Sequence, residues 1–165
     1  MGNTQRRFAV MGNNTFKIAH KILNNQRICR LLKYQVRDPF DKEKYSDVDG
    51  EDLMGKQILI VPKIFDENTE KMSYVTAIFD DFVVNQMNPD FKISTIRFDI
   101  ACPYDEWLLD EGSLRPYLIM QEIDEMFNQA KLSGIGNLQF HRADALALSP
   151  QIGGYSMRYK INEFN

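Results

Sequence analysis

The sequence predicts an α+β domain with a largely antiparallel or mixed β-sheet, and with an N-terminal helix and one central helix packed on one face. Three observations carry that reading. Apolar residues recur at helical spacing near the N-terminus, three β-rich runs follow one another between positions 57 and 102, and a second helical segment precedes two more β-rich runs. Blocks of consecutive strands pair most simply as antiparallel neighbours, and the helices then cover one face. The expected order is α-β-β-β-α-β-β. At 165 residues, 44% of them hydrophobic and 26% charged, the chain fits one domain with its own core.

Residues 1–13 read as a flexible basic arm, because Gly2, Gly12 and scattered Asn and Gln offer little to pack, and residues 14–165 as the single domain. Asn13 or Asn14 then supplies an N-cap for a helix on which Phe16, Ala19, Ile22 and Leu23 share a face. Asn24 and Asn25 break or kink it before Ile28, Leu31 and Leu32 resume the pattern. Residues 38–55 form a long polar loop, rich in Asp and Glu, which reads as an interaction loop or as a short helix hidden by its composition. Its Asp47-Val48-Asp49-Gly50 stretch lacks the remaining ligands of a calcium-binding loop.

The β-rich runs are Gln57 to Val61, closed by Pro62, then Tyr74 to Asn85, then Phe91 to Cys102. In the third, Ile96, Phe98, Ile100 and Cys102 share one face while Arg97 and Asp99 point the other way. Ser113 is the expected N-cap of the central helix, with Pro116 in its first turn. Leu114, Tyr117, Leu118, Met126, Phe127 and Ala130 make the expected buried stripe, Glu122 and Glu125 the wet side, and Gly134 and Gly136 the stop. Leu138 to Leu148 and Tyr155 to Phe164 close the chain as strands.

Charge is strongly segregated. The first 37 residues carry eight Lys or Arg and no acid, which leaves 12 basic and 23 acidic residues in the remainder, so a net charge of −3 conceals a polar molecule. Cys29 and Cys102 match no metal or disulfide spacing and read as small buried residues of an intracellular protein. No window is long and apolar enough for a membrane span, and Phe8 to Met11 is too short for a secretory signal core.

Convergent catalytic groups are scarce, and the chain reads as a non-enzyme without cofactor or bound metal. His141 with Arg142 and Asp144 is at most a fragment of a proton-transfer site, and Gly134-Ile135-Gly136 a turn. The best catalytic candidate is a metal-dependent nuclease site from Asp80, Asp81, Asp90 and Lys92, weakened because alternation puts Asp80 and Asp81 on opposite faces. Nucleic-acid binding by the basic segment is the stronger alternative, although stacking aromatics do not punctuate that segment and the acidic body would repel DNA.

A Trp107-containing turn, the helix start Leu114-Arg115-Pro116-Tyr117, then Ile135-Gly136-Asn137-Leu138 and Gly153-Gly154-Tyr155-Ser156-Met157-Arg158-Tyr159 follow three long strands. That order, over residues 56–165, resembles the neck proteins of tailed bacteriophages, most of all tail terminator or tail-completion proteins. The resemblance implies a structural virion protein at the head–tail junction, assembled in the host cytoplasm. It implies a homo-oligomeric, usually hexameric ring that stops tail-tube growth and docks the tube protein to the head connector protein. DNA would pass through the lumen without specific binding. A closed ring needs two different patches that meet, and a basic segment with an acidic body supplies them. The expected contact residues are Arg6, Arg7, Arg27 and Arg30 on the basic side and Asp47, Asp49, Glu51 and Asp52 on the acidic side. The bland alternative is a monomer whose charges simply face water.

Overall fold

A computed structural model describes residues 4–84 and 92–163. The chain runs through helices α1 (Thr4–Leu23) and α2 (Gln26–Lys33), strands β1 (Ile58–Leu59), β2 (Tyr74–Val84) and β3 (Lys92–Pro103), helix α3 (Arg115–Phe127), and strands β4 (Lys131–Leu132), β5 (Gly136–Ala147) and β6 (Ile152–Glu163). The six strands form one sheet in the order β1-β2-β3-β6-β5-β4. β1 runs parallel to β2, and every other pair is antiparallel. The α+β class and the mixed sheet are therefore as predicted.

All three helices pack on one face. Ile18 and Ile22 of α1, Ile28, Leu31 and Leu32 of α2 and Ile119, Ile123 and Phe127 of α3 share a single core with Ile96, Phe98, Ile100 and Cys102 of β3. Phe98 stacks on Phe127 with centroids 5.0 Å apart and meets Tyr159 of β6 edge-on at 5.7 Å. Burying such side chains contributes about 1.5–3 kcal/mol each. A second, smaller cluster of Leu59, Tyr74, Ala101 and Ile152 covers one end of the other face, with Phe65 and Met72 packed against it.

Several boundaries depart from the sequence expectation. The first helix starts at Thr4, so the boundary expected at residues 13 and 14 falls inside it. Asn14 is buried mid-helix, where its Nδ2 donates to the carbonyl of Gly134 and ties down the β4–β5 turn. The break at Asn24 and Asn25 is present: the Asn25 side chain accepts from the amide of Ile28 and caps α2. The polar loop hides a 3-10 turn at Gly50–Leu53, capped by Asp49.

In α3 the buried residues are Arg115, Pro116, Ile119, Ile123 and Phe127, while Tyr117 is exposed. Leu114 takes the N-cap position without a side-chain bond, in place of Ser113. Gly134 and Gly136 shape the β4–β5 turn instead of ending the helix, and both have positive φ, 77° and 112°.

Candidate interaction surfaces

The basic α2 and the acidic loop that follows it are partners within one chain. Arg30 is only 3% exposed. Its guanidinium donates to the carbonyls of Pro39, Ser46, Asp41 and Tyr45, and pairs with Asp47 at 3.1 Å. Arg30 and Asp47, both expected as intermolecular contacts, therefore hold the loop onto its own helix. The reason is geometric: the loop turns back over α2, and a guanidinium with five donors can bind many carbonyls at once.

Arg27 is half exposed and pairs with Glu122 of α3 at 2.5 Å, with its guanidinium 4.3 Å from the centre of the Phe40 ring. Glu122 also accepts from Asn25 and is largely covered, contrary to its expected place on the wet side. Asp49 caps its own 3-10 turn. Glu51 lies 4.0 Å from His20, and Asp52 is exposed. Arg6 and Arg7 lie in α1, but their side chains fall outside the described residues.

A second buried arginine completes the fastening. Arg115 is fully buried and donates to the carbonyls of Leu31, Tyr34 (3.1 Å), Val36 (2.5 Å) and Glu106 (3.0 Å). Burial pulls its pKa below the usual arginine value. Sequence reading named it only as part of the helix start and gave it no role. The signal was its position, since a cation in the first turn of a helix opposes the macrodipole and needs another reason to be there.

The sheet face turned away from the helices carries a charge lattice. Arg97, Arg158 and Arg142 are register partners across β3, β6 and β5. Asp80 bridges Arg97 (2.7 Å) and Arg158 (3.1 Å), and Asp144 bridges Arg158 (3.2 Å) and Arg142 (2.7 Å). Three in-register guanidinium groups would repel one another, and the interleaved carboxylates offset that repulsion.

The lattice also bears on the nuclease candidate. A β-bulge between Phe79 and Asp81 resets the alternation, so Asp81 pairs with Thr95 on the same face that Asp80 occupies. Asp80 is held by two arginines, and Asp90 lies outside the described residues. Among the described residues no group of three or more His, Cys, Asp or Glu converges as a metal site would require. The thiols of Cys29 and Cys102 are buried, and burial pushes them up to about 11 and about 12, away from nucleophilic use.

Among the described residues, surface remains open at both outer long strands. Large apolar side chains cluster beside β2, where Phe8 of α1 (69% exposed) meets Phe82 (48% exposed) edge-on at 5.7 Å. At the other side, Phe140 of β5 (42% exposed) and Tyr117 flank a shallow cleft of about 320 Å³ beside α3. A second cleft of about 350 Å³, floored by Phe40, Leu109 and Leu118, is rimmed by Asp38, Asp41, Asp110 and Glu111, with Arg37 paired to Asp110 at 3.1 Å. No helix is long and apolar enough to cross a membrane among the described residues.

These features define a class: a single-sheet α+β protein whose described residues leave strand edges and shallow clefts at the surface. Residues 25–161 match the YomW family, and the chain belongs to it. The family's name is that of a phage-related protein. No curated protein matches the chain.

Proposed function

We propose that this protein is a structural component of a phage particle, which forms a ring at the head–tail junction, terminates the tail tube and docks it to the head connector. The observation that carries the reading is the sheet itself. Four long strands form a charge-braced slab whose two outer edges, among the described residues, are paired over only a short stretch, as suits a subunit that stands beside copies of itself. The phage-related family and the resemblance over residues 56–165 support the setting. Tail tube and connector proteins are the proposed neighbours, and DNA crosses the lumen without specific contacts.

The nucleic-acid alternative loses ground to one finding. Arg27, Arg30 and Arg37 of the basic segment are engaged by Glu122, Asp47 and Asp110 of the same chain, which leaves fewer cations for phosphate. Light scattering and negative-stain microscopy of the purified protein, alone and mixed with tails, test the proposal. Rings or tail-bound protein are expected. A monomer that leaves tails bare, but binds DNA with an affinity falling steeply with salt, favours the alternative.

A further inference from the structure

β1 pairs with β2 only at Val75 and Thr76, and β4 with β5 only at Gly136 and Asn137. Near the start of β5, Leu138 is bonded to the 129–130 turn and the amide of Phe140 donates to the Asn128 side chain. From there to Ala147, and along β2 from Ala77 to Val83, no described strand covers the outer edge. Hydrogen-bond alternation fixes which amides point outward. Leu148 donates to Ile152 inside the hairpin, so Ala147, Ala145 and Ala143 direct their N–H groups away from β6. Val75 donates outward to Gln57, so by the same alternation Ala77 and Phe79 face outward, and beyond the bulge Phe82 does.

The two edges are complementary. Along β2 runs an apolar groove of about 280 Å³, lined by Phe8, Met11, Ile60, Pro62, Phe79 and Phe82. On the matching face of β5 the side chains are Ala143, Ala145 and Ala147, three exposed methyl groups with room above them. On the opposite face the β2 edge carries exposed Asp81 beside Asp80, which Arg97 and Arg158 already hold, and the β5 edge carries the half-exposed Arg142 beside its own partner Asp144. The directions also agree. Four successive antiparallel long strands make β2 and β5 run oppositely, so copies placed side by side continue an antiparallel sheet.

We propose that the β5 edge of one copy adds to the β2 edge of the next, with Ala143 to Ala147 seated against the α1–β2 groove and Arg142 beside Asp81. This is strand addition in a head-to-tail sense. Pairing β5 with β5 would instead leave Phe8 and Phe82 in water. The inference rests on the reading that copies assemble side by side, and it names the surfaces through which they do so.

The test uses the full chain, alone and on purified tails. Ala145→Pro removes an outward N–H and no bond of the sheet, so the variant keeps the wild-type circular dichroism and melting curve and loses the oligomer. Phe82→Asp, on the opposite edge, gives the same loss. Each variant retains one good edge, so an equimolar mixture gives dimers and nothing larger. Hydrogen exchange of assembled wild type slows at Ala143, Ala145, Phe79 and Phe82. Assembly of Ala145→Pro at wild-type levels, higher oligomers in the mixture, or an assembled particle whose edge amides still exchange fast overturns the edge pairing while the ring reading stands. A wild-type chain that never assembles, in solution or on tails, overturns both.

Discussion

Two buried arginines fasten the chain around the end of α2, Arg30 holding the polar loop and Arg115 the segment that leads into it. Arg115 and Arg30 between them bind eight backbone carbonyls on segments that form little regular structure. Arg115→Ala strands one buried and three partly buried acceptors and empties a buried site, so a loss of about 3 kcal/mol is expected in urea unfolding. Arg115→Lys keeps the charge but lacks the planar fork, and should fall between the two. Asp41 makes a pH prediction. The backbone amides of Lys44 and Glu43 hold its carboxyl below the ordinary value, so its contribution is complete above the unfolded pKa, about 3.9, and fades as pH falls through the lower folded value. Nuclear magnetic resonance of the Glu43 and Lys44 amides should show that turn loosening in acid, and Asp41→Asn should remove the dependence. Residue type alone cannot tell a solvated guanidinium from a buried clamp, so the role of Arg30 was not legible beforehand, and that of Arg115 was signalled only by its place in the first turn of a helix.

Strands were the most legible elements. The alternation of Ile96, Phe98, Ile100 and Cys102 against Arg97 and Asp99 survives intact, since a sheet with one covered face imposes a period of two. Bulges were not legible: nothing local marks Asp80 or His141 as the extra residue, yet each resets which side chains share a face. The buried stripe of α3 was misplaced by about one residue in phase, because Arg115 looked polar and Tyr117 looked like core. Close approaches were hidden too. A Cβ on Gly154 of β6 would stand 1.8 Å from the Ile100 carbonyl oxygen, and one on Gly50 1.9 Å from that of Leu23. Gly154→Ala and Gly50→Ala should each lower the melting temperature sharply, with costs of about 2–4 kcal/mol, whereas Gly12→Ala, which meets nothing within 4 Å, should be neutral or mildly stabilising.

For the whole molecule, the segregated charges find much of their complement inside one copy. Arg27→Glu should therefore act on stability rather than on assembly, with a loss of about 1 kcal/mol or somewhat more from repulsion with Glu122, and Glu122→Arg in the same chain should recover it. Under the proposed side-by-side assembly, association would fall to the strand edges and the apolar groove beside β2, which charge counting along the sequence does not see. The fold class was legible because periodicity and turn residues encode it. The proposed interaction surface was not, because it depends on which backbone groups are left without a neighbour in the finished sheet. Cryo-electron microscopy of the protein incubated with purified phage tails tests the central claim most directly. A closed ring of about six copies seated on the end of the tail tube is the predicted result. A dispersed monomer and tails with bare ends would contradict it.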